Sequence, residues 1–444
     1  MKKADTLFFN ARILTVDSEF SDIENGALAV RDGIIEKVWS PSTGAPLPQA
    51  KESIDCAGKL VMPGLVNAHT HLPMSLFRGL ADDLALDQWL NDYVFPAEAK
   101  YISPQTVGLG TRLSAAEMLL NGITTCCDGY FYAGEVAKAI SMTGMRAAIG
   151  QGVIDFPAPG VPDPVRNVDV AKSFVEAWQD RSNLLQPSIF CHSPYTCSPQ
   201  TLQAAKAAAT QMGVLFQIHV AETRFEVQQC QESNGCSPVA YLHDLGVLDA
   251  KSVLIHAVWV DPDDIAMIVD SGASVVHCPE SNMKLASGIA PVPEFIDAGL
   301  TIGLGTDGCA SNNDLDLFGE MNSAAGLHKV HRFNPTVLDA ASVIRMATIA
   351  GARLLGLEQQ IGSLEAGKQA DLIVLDMRQP HLLPLYHSAS HIVYAARGSD
   401  VHHVMIGGRW IVQDRELITI DLVSLIKEVE ALGREIGRGL IGAR

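Results

Sequence analysis

Leu60-Val61-Met62-Pro63-Gly64-Leu65-Val66-Asn67-Ala68-His69-Thr70-His71 is an apolar run, broken by Pro63-Gly64, that ends in two histidines one residue apart. In a β-strand, residues i and i+2 point to the same face, so His69 and His71 would present two imidazoles side by side at a strand end. Two neutral imidazoles suit a borderline-soft divalent metal such as zinc. A lone His-x-His is more often a surface feature, so the reading holds only if the rest of the chain supplies further ligands.

From about Pro63 to Leu364 the chain alternates apolar strand-like runs with helical stretches. The predicted strands end at His71, Asp128, Gly150, His192, Val220, Ala257, Cys278 and Asp307. Helices are predicted over Gln105–Asn121, Gln200–Met212 and Asp261–Ser271. Eight strands alternating with helices predict an α/β fold, a (β/α)8 TIM barrel over residues 63–364. An open doubly wound sheet is the alternative. Chemically useful residues stand at the C-terminal ends of nearly every strand, which favours the barrel.

Both ends of the chain read as β-rich. Thr6–Val16 and Ala27–Trp39 are apolar, the second turning at Arg31-Asp32-Gly33, and Asp-Gly between apolar runs is a hairpin signal. Ala370–Leu375 reads as a strand, and Val401–Val412 pivots on Gly407-Gly408. A small β-sandwich built from residues 1–62 and 365–420 is therefore predicted, flanking the barrel. Leu422, Leu425, Ile426, Val429, Leu432 and Ile436 recur at helical spacing, which predicts a packing helix over 421–444.

Composition narrows the function classes. The apolar fraction of 48% with 18% charged residues is that of a globular protein with a large core. A net charge of −18 argues against a nucleic-acid partner, whose phosphates need a basic surface. No stretch reads as a membrane span. The first residues turn directly into a strand pattern without a signal peptide's apolar core, so a cytoplasmic location is expected. Nine cysteines without any Cys-x-x-Cys spacing exclude a zinc ribbon and make a disulfide framework unexpected.

The remaining ligands come from other strand ends. Gln217-Ile218-His219-Val220-Ala221-Glu222 closes the fifth strand with a histidine and, three residues on, a glutamate. Leu254-Ile255-His256 closes the sixth, and Ile302–Asp307 closes the eighth with an aspartate. His69, His71, His219 and Asp307 together offer three nitrogens and a carboxylate oxygen, with His256 and Glu222 on the same rim. Such a set suits one divalent ion that still binds water. Zinc is expected, and iron, manganese or nickel would also be accepted. No lysine lies between Lys172 and Lys206, so the fourth strand, ending in His192, cannot bridge two ions through a modified lysine. Gly303-Leu304-Gly305-Thr306-Asp307-Gly308 matches the dinucleotide pattern G-x-G-x-x-G, but it comes late and opens no helix, so it reads as the turn that carries Asp307.

The chemistry follows from the donor set. A bound zinc lowers the pKa of water from about 16 to about 7, giving a hydroxide nucleophile at neutral pH. His256 and Asp307 could hold that hydroxide and take up its proton. Glu222 could protonate a ring nitrogen of the substrate and then the leaving group. Addition of water to a C=N carbon followed by loss of ammonia fits this layout.

The chain resembles the amidohydrolase superfamily over nearly its full length. Within it, the sequence is similar to the methylthioadenosine/S-adenosylhomocysteine deaminases. The resemblance is carried by Pro63–His71, Pro73-Met74-Ser75-Leu76-Phe77-Arg78-Gly79, Asp87-Gln88-Trp89-Leu90, Pro96-Ala97-Glu98, His219-Val220-Ala221-Glu222-Thr223, Ser281-Asn282-Met283-Lys284-Leu285 and Gly305-Thr306-Asp307-Gly308. It implies His69, His71, His219 and Asp307 as ligands, His256 beside the water and Glu222 as proton shuttle in contact with substrate. It further implies Trp89 and Glu98 as the nucleoside pocket, Glu98 accepting from both ribose hydroxyls, and His192 facing the purine. An arginine for an amino-acid tail would be Arg166 or Arg146. Barrels of this kind often pair, so a homo-oligomer, dimer or tetramer, is expected. One departure is Cys278-Pro279-Glu280, where the family more often carries Asn-Pro.

Three functions are thereby set against one another. The first is metal-dependent hydrolytic deamination of an adenine nucleoside: methylthioadenosine, S-adenosylhomocysteine or adenosine. The second keeps the site but acts on guanine or a triazine, which has no ribose diol for Glu98. The third is a barrel scaffold without catalysis, which all six competent positions oppose.

Overall fold

The computed structural model describes residues 3–41, 47–84 and 86–441. Positions 1–2 and 42–46 of the expected β-sandwich, and 442–444 of the expected tail helix, lie outside the described residues.

Eight strands form one sheet in chain order: Leu65–Thr70, Ile123–Tyr130, Arg146–Val153, Leu185–Cys191, Phe216–Val220, Ser252–His256, Ser274–His277 and Ile302–Leu304. The sheet closes between its last and first strands, where the Asp307 N–H donates to the His69 carbonyl at 3.1 Å. The predicted strand ends fall within three residues of those observed. Nearly every residue of these strands is buried, as parallel strands covered on both faces require. The predicted helices are present as Pro104–Leu120, Pro199–Met212 and Pro262–Ser271. Each of the last two opens on proline behind a side-chain cap, Ser198 accepting from the Thr201 N–H and Asp261 from those of Asp263 and Asp264.

Strands from the two ends of the chain join in a second sheet of nine. Lys59–Pro63 pairs antiparallel with Leu372–Asp376, Val61 opposite Val374, and so links the two groups. The predicted sandwich is a single sheet curled on itself. Phe8 of the strand Ala4–Leu14 meets Trp410 of Arg409–Gln413 edge-on at 5.7 Å, although these strands stand four places apart in the sheet. The Trp410 indole also donates to Glu52 at 2.9 Å. Phe8, Ile13, Leu28, Ile35, Val374 and Met405 fill the space between. Both expected hairpins turn through paired positive φ angles, Asp32 (52°) with Gly33 (80°), and Gly407 (54°) with Gly408 (73°), the pairing a type I′ turn needs. At Gly408 a Cβ would come within 2.5 Å of Gly33 Cα, so glycine is required there for approach as well as for conformation.

By packing, the chain divides into Met1–Asn67 with Glu117–Thr125 and Asp316–Thr419, and Ala68–Ala116 with Cys126–Leu315 and Ile420–Arg444. The helices Leu317–Arg332 and Ala340–Arg345, inside the span predicted for the barrel, group with the nine-stranded sheet. The tail helix Leu422–Ile441 groups with most of the barrel, where Glu428 pairs with Arg112 at 2.8 Å and Leu425 and Ile436 are buried. All nine cysteines are free thiols. No described helix is long and apolar enough to cross a membrane.

Candidate active site

The first strand delivers His69 and His71 to the C-terminal rim of the barrel. The His71 Nδ1 lies 2.6 Å from the Gly129 carbonyl, a bond that only Nδ1–H can make, so the Nε2 lone pair is free to face the rim. His219 of the fifth strand brings its Nε2 to 3.2 Å from that of His69. Asp307 Oδ1 stands 3.4 Å from His69 Nε2 and 3.3 Å from His71 Nε2. Its other oxygen accepts from Ser281 at 2.7 Å and Ser311 at 2.8 Å, which turns Oδ1 toward the imidazoles.

Two glycines of Gly303–Gly308 are explained by this packing. A Cβ at Gly305 would sit 2.9 Å from the His69 backbone nitrogen, and one at Gly308 would sit 3.1 Å from His71 Cβ. The pattern is a close-approach turn beneath Asp307.

The ligand atoms of His69, His71, His219 and Asp307 all lie within 4.8 Å of one another. Their ionisation suits a cation. Burial pushes His69 down to about 4 and holds His219 well below the ordinary imidazole range. His71 is raised, because the Asp307 carboxylate beside it outweighs burial. Burial would raise Asp307, but His69 and His71 hold it well below the usual carboxylate range. Mostly neutral imidazoles around an ionised carboxylate are the protonation states metal binding requires. A second group, His402, His403 and Asp414, lacks this fit. His403 Nδ1 accepts the Asp414 N–H at 3.2 Å, which places the neutral ring's proton on Nε2 and leaves no lone pair for an ion.

Glu222 and His256 meet the same rim. Glu222 Oε1 accepts from Ser287 at 3.0 Å, and Oε2 stands 3.7 Å from His256 Nε2. The Asn282 amide nitrogen lies 3.1 Å from His256 Nδ1, so that nitrogen accepts and Nε2 carries the proton. Ser281 and Asn282 stand on the short helix Pro279–Lys284 that follows Cys278, so the departure at Cys278 leaves both contacts intact. Four residues around the rim have left-handed backbones without being glycine: Ala221 (50°), His256 (74°), Ala257 (44°) and Asp307 (60°). Such conformations cost about 1–3 kcal/mol each and gather where surroundings over-determine them, as at functional sites.

A cavity opens over the cluster, lined among others by Trp89, Phe95, Glu98, Tyr130, His192 and Leu285. Trp89 and Glu98 are both buried. Burial pushes the Glu98 carboxyl up to about 7, while a hydrogen bond from the Tyr130 hydroxyl pulls it down. Burial drives His192 to about 3, so its ring is neutral, with Nδ1 at 3.0 Å from the Thr196 hydroxyl.

The two arginines are not brought to this cavity. Arg146 begins the third strand, at the end opposite the rim, and its guanidinium donates to the Asn183 carbonyl at 3.2 Å. Arg166 is exposed in the short turn Pro164–Arg166. The cations beside the site are Arg224 and Lys284, which line an outer chamber sharing Glu222, Tyr195 and Leu285 with the inner cavity. The sequence reading gave no role to Tyr130, Ser281, Asn282, Ser287 or Ser311. Ser281-Asn282 and the strand position of Tyr130, two past Asp128, were the available signals.

Residues 60–411 match the amidohydrolase family. A 5-methylthioadenosine/S-adenosylhomocysteine deaminase from Syntrophobacter fumaroxidans is 44% identical over 98% of this chain and 99% of its own. A 5'-deoxyadenosine deaminase from Methanosarcina mazei is 40% identical over 98% of each. The crystal structure of an adenosine deaminase from Xanthomonas campestris with bound zinc superposes with a TM-score of 0.95 at 37% identity, covering 98% of this chain and 99% of that one.

Proposed function

This chain belongs to the amidohydrolase family, and from that premise we propose that it hydrolytically deaminates adenine nucleosides, converting 5'-methylthioadenosine, S-adenosylhomocysteine or a related 5'-modified adenosine to its inosine analogue and ammonia. The observation that carries the reading is the convergence of His69, His71, His219 and Asp307 with Glu222 and His256 at one rim, beneath a cavity that buries a third carboxylate, Glu98. The names of the relatives support the substrate class.

His69, His71, His219 and Asp307 would hold one divalent ion, zinc by analogy with the zinc-bound relative. When bound, that ion supplies Lewis acidity and lowers the pKa of water to about 7. The protein's own groups do the rest. Glu222 Oε1 is occupied by Ser287, so Oε2 is the oxygen that accepts a proton from the water. It then delivers that proton to the ring nitrogen next to the attacked carbon. The second proton leaves with the amine, so water and the amidine become a carbonyl and ammonia. His256, with its proton on Nε2, donates toward the attacking oxygen and fixes its direction of approach. The neutral His192 ring offers a flat, uncharged wall to the purine.

Glu98 is assigned to the ribose. Tyr130 occupies Oε1, which leaves the other oxygen of this cavity-lining residue to accept from the diol. In Glu98→Ala, KM for nucleosides should rise about 10–100-fold, the worth of hydrogen bonds to a charged group, with kcat changed less. A nucleoside KM that does not move would favour a free base or a triazine as substrate. The pH dependence has a definite sign. Below about 7 the carboxyl is protonated, and diol binding favours the ionised acceptor. KM should therefore fall as pH rises from about 6 to about 8, and Glu98→Gln should lose that part of the dependence. The substrate assignment itself is tested by ultraviolet assay of metal-restored protein with each nucleoside. Absence of the adenine-to-hypoxanthine change in all of them would overturn it.

A further inference from the structure

Glu222 leaves its strand through Ala221, whose φ of 50° needs outside support. One side of that turn is held by the sixth strand's loop: the Ala221 carbonyl accepts from Val258 at 3.0 Å and Trp259 at 2.8 Å. The other side is held by Glu226. One of its oxygens accepts from the Ala221 N–H at 2.9 Å and the other from the Glu222 N–H at 2.8 Å.

Glu226 is the third residue of the helix Arg224–Asn234. That helix is already capped, because the Thr223 hydroxyl accepts from the Glu226 N–H at 3.2 Å. A capping box would bring a glutamate at this position back to the N-cap amide. Here the cap amide is joined by the two amides before it, which stand 2.9 and 2.8 Å from the two oxygens. Capping alone therefore does not account for burying this carboxylate to 5% exposure. Burial pushes it up to about 8, while the amides of Glu222, Ala221 and Thr223 favour its ionised form. What the arrangement fixes is the peptide that carries Glu222, whose side chain is otherwise pinned by Ser287 alone among the hydrogen bonds described.

We propose that Glu226 is a positioning residue for the deamination: its carboxylate clamps the Ala221–Glu222 peptide so that Glu222 meets the proton it transfers. This rests on the deaminase reading above. With one oxygen replaced by an amide, an N–H group faces an N–H group, and the peptide turns away from the geometry that the reaction needs. A displacement of about 1 Å at a reacting group can cost 10²-fold in rate.

The test compares Glu226→Gln, Glu226→Ala and a remote control, Ser237→Ala, which removes the cap of the helix Pro238–Asp244. Metal-restored proteins are measured for kcat, KM, metal content, melting temperature and the solvent deuterium isotope effect on kcat. In Glu226→Gln, kcat should fall about 10–100-fold, with KM within about twofold, one ion retained and a larger isotope effect as proton transfer becomes limiting. Ser237→Ala should lower the melting temperature and leave kcat and the isotope effect unchanged. Hydrogen exchange gives an activity-independent reading: the Ala221 and Glu222 amides should be protected in the parent protein and open in Glu226→Gln, while the fifth strand stays protected. If Glu226→Ala does not fold, Glu226→Gln and exchange decide. A Glu226→Gln protein with the parent's kcat and isotope effect would overturn the proposal and leave the deaminase reading standing. A parent protein inert toward every nucleoside would remove that reading and the role in the reaction with it. Unprotected amides in the parent protein would remove the clamp itself.

Discussion

Glu222→Gln is expected to lower kcat by about 10²–10⁴, the range that a positioned general acid and base contributes. The substitution keeps the shape of the side chain. Ser287 can still donate to Oε1 at the same place, so melting temperature and metal content should match the parent protein. What is lost is the ability of the second atom to take a proton and return it. A neutral amide presents N–H where Oε2 now faces His256 Nε2 across 3.7 Å. KM should change little, because the cavity wall and Glu98 are untouched. The check is steady-state kinetics on protein with one ion per chain. A loss of less than about tenfold would move the proton transfer to another group, with His256 the next in line. His256→Ala alone would then be expected to abolish the reaction.

Much of the candidate site could be read from sequence because the residues proposed as ligands stand where local pattern is strongest. His69, His71, His219 and His256 end apolar runs of strand length, and a barrel places all such ends on one rim. Asp307 was legible for a related reason: the glycines on either side mark a turn where backbones approach, which the contacts at His69 and His71 account for. Groups that reach the rim from afar were not legible. Ser287 is 65 residues from Glu222 in sequence and Tyr130 is 32 from Glu98, and no periodicity reports which loop side chain arrives at which strand end. The resemblance, not local pattern, placed Glu98 in the pocket. The turn Trp89–Val94 before it is π-helical, and the wider winding shifts the face of everything after it. Glu98 thereby turns into the cavity. The two arginines lie away from the cavity. Arg146 lies on a barrel strand, but at its start, where barrels keep stability rather than chemistry. The sandwich was read correctly as β structure from both ends. Its single curled sheet depends on the pairing of Val61 with Val374, a contact across most of the chain.

Asp307→Ala is expected to abolish both bound metal and activity, and a graded series around it separates ligand from support. Asp307 gives the cluster its only carboxylate, and Ser281 and Ser311 hold the oxygen that faces away. Ser281→Ala removes one of those two supports, for which a loss of about 10–100-fold in metal affinity is expected. Asp307→Ala should lose far more, since three imidazoles remain with no anion to balance the cation. Stability reports the same order without any assay of activity. An ion that binds only the folded protein stabilises it by about 4 kcal/mol when present at about 1,000 times its dissociation constant. A chelator should therefore lower the melting temperature of the parent protein and of Ser281→Ala, whereas Asp307→Ala should melt at the same temperature with or without it. His71→Ala should behave like Asp307→Ala, because it removes a ring that Gly129 holds with Nε2 facing the cluster. Metal analysis and melting curves with and without chelator check the series. If Asp307→Ala retains one tightly bound ion per chain, the ion is held elsewhere, and the reading of the rim as a metal centre fails with it.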